Sequence, residues 1–290
     1  MSKTVAVLGA NGVYARHLIP RLFTAGWKVR ALVRRPEAAG AAAACGAEIC
    51  AADIFDGESL RAGLDGCDVA VNLATSLPGP NGRGDFAAND HLRRSGTPIF
   101  VEACGEAGVP RILQQSIAMV NATDSDAWSN EETRFSGAEN SPAAAPVEAA
   151  LDMEKTVAAS GLDYLILRGA LFYGPGTGYD DGWVARAKAG KLRLPGDGSK
   201  YVSFVHIADM AAATMMALTA WPSRETLIIA DDAPAPWKDV FSYLAQSAAA
   251  PEPQLGGQIG FPSFRVRNGK ARNILGWRPF YENYQTGMTR

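Results

Sequence analysis

Histidine and cysteine are scarce in this chain of 290 residues, at three and four copies. His17, His91 and His206 lie far apart, and Cys45, Cys50, Cys67 and Cys104 contain no CxxC spacing. That excludes a metal-ligand motif and a disulfide framework, so no metal is expected and the thiols read as reduced, buried side chains. No apolar run is long enough to span a bilayer, which argues against a membrane protein. Neither sign of charge dominates: 28 Lys and Arg against 30 Asp and Glu leave a net charge of −2. A broad electrostatic attraction to nucleic acid or to an anionic membrane is therefore not expected. The first fifteen residues lack the charged segment and apolar core of a leader, and a cytoplasmic location is the expectation. No internal repeat is visible.

What is present is a regular alternation. Short apolar runs at residues 3–8, 28–33, 48–51, 68–73, 111–115 and 164–167 read as strands. Between them, residues 14–25, 36–45, 59–64, 86–108 and 147–160 read as helices, several closed by glycine. Strands alternating with helices imply an α/β fold with a parallel sheet covered on both faces. After about Tyr173 the pattern loosens. Residues 174–182 read as a glycine-rich loop, followed by strands near 201–205 and 226–230 and helices near 207–219 and 237–249. This divides the chain into residues 1–172, a nucleotide-binding domain, and residues 173–290, a smaller substrate lobe interleaved with the end of the sheet.

The first crossover carries the strongest local signal. Gly9, Asn11, Gly12, Val13, Tyr14 and Ala15 lie where the first strand turns into the first helix. Glycine there lets backbone approach a pyrophosphate, and the helix N-terminus offers free N–H groups with partial positive charge. Ala15 satisfies the third position of the glycine fingerprint, where close helix–strand packing is the requirement. The second strand ends in Arg34 and Arg35 instead of an acid. Guanidinium groups suit a 2′-phosphate, so NADP(H) is expected over NAD(H), the bland alternative being a solvated surface arginine. Asp53, with Ile54 after it, is placed to accept from an adenine amino group, or else to cap a turn. Leu73, Ala74 and Thr75 would pass under the cofactor near the topological switch point.

These residues resemble the extended and atypical short-chain dehydrogenase/reductase superfamily, which includes the epimerase/dehydratase-like proteins. The resemblance runs almost end to end. Beyond the glycine turn it rests on Arg168-Gly169-Ala170-Leu171-Phe172-Tyr173-Gly174-Pro175-Gly176, on Ser203-Phe204-Val205-His206-Ile207-Ala208-Asp209 and on Leu275-Gly276-Trp277-Arg278-Pro279. It implies a Rossmann doubly wound sheet, a C-terminal substrate-binding lobe and a small-molecule substrate. It also implies a candidate homodimer formed through the helices at 86–104 and 147–160.

Family enzymes use a serine and a Tyr-x-x-x-Lys helix to exchange a proton with a substrate oxygen while hydride moves. In that register the serine slot is Ile117, with Ser116 its neighbour, the tyrosine slot is Pro146 and the lysine slot is Ala150. No Tyr-x-x-x-Lys occurs anywhere in the chain. A substitute donor must come from elsewhere, and Ser116 (also a candidate cofactor contact), Asn121 and Tyr173 are the catalytic candidates. Tyr179, Asp180, Asp181 and Trp183 belong to the loop that could cover substrate, while His206 reads as scaffold. Loss of one general acid commonly costs about 10²–10⁴ in rate, so carbonyl chemistry by the usual route should be slow.

Three readings follow. One is an NADP(H)-dependent oxidoreductase acting on a small, rather apolar organic substrate with a non-standard or substrate-supplied acid. Another is a sugar-nucleotide epimerase or dehydratase. The third is a fold reused for non-redox chemistry or cofactor sensing.

Overall fold

The computed structural model describes residues 3–78, 84–137, 141–258 and 260–288. Seven strands form one parallel sheet: β1 (Thr4–Leu8), β2 (Lys28–Val33), β3 (Glu48–Ala51), β4 (Val69–Asn72), β5 (Arg111–Ile117), β6 (Asp163–Gly169) and β7 (Glu225–Ile229). Their spatial order is β7-β6-β5-β4-β1-β2-β3. The direction of winding reverses between β1 and β4, which opens a crevice beyond their carboxyl ends.

The alternation within β1 shows why both faces of the sheet are covered. Val5 and Val7 join one apolar cluster with Leu18, Ile19 and Leu22, whereas Ala6 and Leu8 join another with Leu60, Phe100 and Ile112. Successive side chains point to opposite faces, so a wholly apolar strand is what a two-sided sheet requires. Helix α1 (Val13–Thr24) follows the first crossover directly. The sheet regains later chain when β7 pairs with β6, from Glu225 beside Leu165 to Ile229 beside Gly169.

Three elements differ from the sequence expectation. The helix expected over 86–108 is Phe86–His91, a π turn over Leu92–Gly96, and Thr97–Glu106. Helix α2 (Ala144–Ala158) begins earlier than 147, with Pro146 in its first turn, where a missing N–H loses no helical bond. The loop expected over 174–182 gives way to helix α3 (Tyr179–Lys188). Gly178 precedes it at φ +79°, and Asp180 and Asp181 in its first turn complement the helix dipole. Trp183 is thereby carried into an aromatic cluster with Trp237 and Phe241.

Helix α4 (Ile207–Ala220) packs along α1. His206 caps it, its Nδ1 accepting from the Ala208 N–H at 3.2 Å. Gly174 runs so close that a Cβ there would lie 2.4 Å from His206 Nε2. Asp209 holds the C-terminal segment, accepting from the N–H groups of Phe280 at 3.0 Å and Tyr281 at 2.9 Å. Among the described residues no helix is long and apolar enough to cross a membrane.

Candidate active site

The first crossover is built for close approach. Gly9 adopts φ +79°, and a Cβ on it would stand 2.9 Å from the Ala74 nitrogen. A Cβ on Gly12 would meet the Gly9 carbonyl at 3.1 Å. The Gly12 N–H donates to that carbonyl at 2.9 Å, which tightens the turn. No side chain caps α1, and no acid occupies its first turn. The positive end of its dipole therefore faces the crevice without a protein counter-charge, which fits a pyrophosphate.

The expected cofactor residues differ in their settings. Asn11 and Val13 are half-buried, Gly12 and Thr75 exposed, and Leu73 buried beneath the crossover. The Tyr14 side chain is turned into the core: its hydroxyl bonds to Thr214 and the Met210 carbonyl, and its ring meets Phe172 edge-on. Arg34 and Arg35 are exposed just past β2, and neither guanidinium pairs with a described residue. Asp53 is half-buried, with Oδ1 accepting from the Phe55 N–H at 3.0 Å in a tight turn. Ile54 is buried against Gly96, where an added Cβ would be 3.0 Å away.

At the end of β5 the period-two alternation separates neighbours. Gln115 and Ile117 line a cavity at the carboxyl end of the sheet, while Ser116 points to the opposite face. There its hydroxyl donates to Glu154 Oε1 at 2.6 Å. Glu154 is gripped by Arg168 through Nη2 at 2.6 Å and Nε at 2.9 Å. Arg168 Nη1 also donates to Asn121 Oδ1 at 3.1 Å and to the Glu131 carbonyl at 3.0 Å. The Asn121 amide spends its N–H groups on the carbonyls of Thr133 and Glu131. Ser116, Asn121, Glu154 and Arg168 thus form one buried network behind the strand.

The cavity itself, of about 130 Å³, is lined by Ile117, Pro146, Ala170, Phe172, Tyr179 and other mostly apolar residues. A cavity near 150 Å³ admits benzene, so this one suits an aromatic ring. Ile117 and Pro146, which the sequence register assigns to two of the three family slots, stand on its wall. The third, Ala150, is fully enclosed with Val120 and Val147. None of Ser116, Asn121 and Tyr173 lines the cavity. Tyr173 is fully buried, donating to the Asn283 carbonyl at 3.2 Å, and burial raises its phenol beyond the ordinary range. His206 is driven the other way, to about 4, because burial disfavours its charged form.

Sequence reasoning missed Arg93. It sits in the π turn, is 5% exposed, and lines the cavity. An arginine within a helix reads as a surface charge, and only the irregular turn, which the sequence does not announce, marks it out; such turns recur at functional sites.

These features define a nicotinamide-nucleotide-binding α/β protein. The chain belongs to the NAD(P)H-binding family, whose model matches residues 9–214. It is 33% identical over 309 residues to a Streptomyces 3-diazoavenalumate denitrifying reductase, covering 99% of both chains. It is 24% identical over 250 residues to a Stigmatella aurantiaca 4-hydroxy-2-methyl-3-oxo-4-farnesyl-3,4-dihydroquinoline-1-oxide ketoreductase, covering 83% of this chain and 72% of that one. The fold matches dTDP-glucose 4,6-dehydratase from Bacillus anthracis in complex with NAD, at TM-score 0.82 and 16% identity over 99% of this chain and 94% of that one.

Proposed function

We propose that this protein is an NADP(H)-dependent oxidoreductase that delivers hydride to a small, largely apolar acceptor needing no proton from the protein. One observation carries the reading: Ile117 and Pro146, which the sequence register assigns to the serine and tyrosine slots, stand on the cavity wall, no described carboxyl group or histidine lines it, and burial raises Tyr179, the phenol among its described lining residues, above the ordinary tyrosine value. The nucleotide-binding turn is intact while the proton-transfer surface is apolar. Reduced nicotinamide, when bound, supplies the hydride. The chain's own residues do the rest: Gly9, Asn11, Gly12 and the first turn of α1 hold the phosphates, and Arg34 and Arg35 take the 2′-phosphate. Leu73, Ala74 and Thr75 form the floor, and the apolar wall excludes water and orients the acceptor.

An acceptor that already carries positive charge, or that loses a stable leaving group, fits such a wall. An arenediazonium ion is one: Ar–N₂⁺ plus hydride gives Ar–H and N₂, with no proton exchanged. The Streptomyces relative's name, a reductase that denitrifies a diazo compound, supports this class. The apolar lining gives little purchase to the hydroxyls of a sugar nucleotide.

The test mixes purified protein with NADPH and, separately, arenediazonium salts, iminium ions, enones and simple ketones, subtracting the rate without protein. The expected result is NADPH oxidation with the cationic acceptors, and one N₂ released per NADPH consumed from the diazonium salts. Equal or faster reduction of simple ketones would defeat the reading.

A further inference from the structure

Arg93 is the charged group on the cavity wall, and its surroundings leave it underused. Its Nη1 donates to the Pro146 carbonyl at 3.0 Å and stands 4.0 Å from Asp90 Oδ1, too far for a hydrogen bond. Asp90 Oδ1 is itself buried without a hydrogen-bond partner among the described residues. Neither Nε nor Nη2 of Arg93 bonds to a described residue. Yet the side chain is almost wholly withdrawn from water, with Phe86, Pro146 and Phe172 among its companions on the wall. A guanidinium buried with one neutral acceptor and one long ion pair is costly unless something else completes it.

We propose that Arg93 is a substrate-recognition residue that binds a carboxylate carried by the acceptor. The Nε/Nη2 edge of a guanidinium matches the two oxygens of a carboxylate as a fork, and charge-assisted pairs of this kind are the strong ones. Gln115 cannot match that fork: it is uncharged, and one of its two amide N–H groups already donates to the Ser116 carbonyl at 2.7 Å. The preferred substrate is then an aromatic or unsaturated acid whose ring fills the apolar part of the cavity and whose carboxylate reaches the π turn. The second arginine of the pair, Arg94, is excluded from the role because it faces outward, bonded to Asp152 at 2.9 Å.

This assignment rests on the reading of the cavity as the acceptor site, and its test is an equilibrium one, independent of turnover. Binding of trans-cinnamate and of methyl cinnamate is measured by calorimetry with NADP⁺ present. The wild type is expected to bind the acid roughly 10- to 100-fold more tightly than the ester. Arg93→Met is expected to erase that preference while leaving ester binding and NADP⁺ binding within about threefold, and Arg93→Lys to restore part of it. Equal binding of acid and ester by the wild type, or equal loss of both in Arg93→Met, would overturn the proposal. The wild-type contrast needs no variant, so poor folding of Arg93→Met leaves the question decidable. Arg93-dependent binding of cinnamate, together with no NADPH oxidation by any acceptor of the panel above, would retain the anchor and discard the redox reading.

Discussion

The Ser116 hydroxyl donates to Glu154 at 2.6 Å, on the side of β5 opposite the cavity lined by Gln115 and Ile117. A strand cannot show adjacent side chains to one face, so filling the serine slot with Ile117 turns Ser116 away from any substrate. Its hydrogen bond then serves stability. Ser116→Ala is expected to leave kcat/KM for NADPH oxidation within about threefold, as for a group outside the reacting atoms. Unfolding in urea should show a loss of about 1–3 kcal/mol, the cost of depriving a buried carboxylate of a donor. A hundredfold fall in kcat at unchanged stability would restore Ser116 to the chemistry.

Arg168 is the hub of the same network, holding Glu154 with two bonds and bracing Asn121 and the Glu131 carbonyl. Arg168→Met removes the partner of a buried carboxylate and should cost about 3–5 kcal/mol. Arg168→Met combined with Glu154→Leu should recover much of that loss, because no charge is then stranded. A double-mutant cycle by urea denaturation checks this, and additive losses would contradict it.

Reinstalling the family couple should fail. Ala150 is fully enclosed against Val120 and Val147, so Ala150→Lys must bury an ammonium and overfill a packed cluster. Overpacking alone costs about 1–3 kcal/mol. The Pro146→Tyr, Ala150→Lys double variant is expected to unfold at a lower temperature and to gain no ketone reduction. A stable variant with new ketone reductase activity would show that the apolar wall is a shallow change on an otherwise competent site.

The parts legible in the sequence were those that repeat physically. Continuous apolar runs marked strands buried on both faces, and Gly9 and Gly12 marked the crossover because no side chain fits there. Ile117 and Pro146, which the sequence register assigns to the proton-transfer slots, both stand on the cavity wall. What escaped was direction. The parity of β5 already implied that Ser116 and Ile117 face opposite ways, whereas the destination of Tyr173, against the Asn283 carbonyl, depends on a segment 110 residues later. Arg93 was illegible because its inward placement belongs to a π turn with no residue signature of its own.

His206 supplies a pH dependence of known sign. Buried and accepting a hydrogen bond from the Ala208 N–H, it is held down to about 4 in the folded chain, against an ordinary value near 6.5. Below pH 6.5 the unfolded chain takes up the proton first, so folding stability contributed by the neutral ring is present above that point. It declines as pH falls toward 4, and no further loss from this group follows once both states are protonated. The slope is at most about 1.4 kcal/mol per pH unit for one proton. His206→Asn keeps a capping acceptor without titrating, so its stability curve from pH 7 to pH 4 should be flatter than the wild type's. Parallel curves would remove His206 from the account.

Arg34 and Arg35 are the residues we propose to set the choice of nucleotide. Both are exposed beyond β2 with no partner among the described residues, so the protein does not already consume their charge. A 2′-phosphate held by a guanidinium gains charge-assisted bonds that a ribose hydroxyl cannot match. Arg34→Ala with Arg35→Ala should weaken NADPH by roughly 10- to 100-fold, the loss of one or two such bonds, and leave NADH nearly unchanged. Because the site is open to solvent, raising the salt concentration should weaken NADPH binding to the wild type more than to the double variant. Fluorescence titration with both nucleotides at two salt concentrations separates the possibilities. If NADPH and NADH weaken together, the arginines support the fold of the crossover and the preference for a phosphorylated ribose must come from elsewhere.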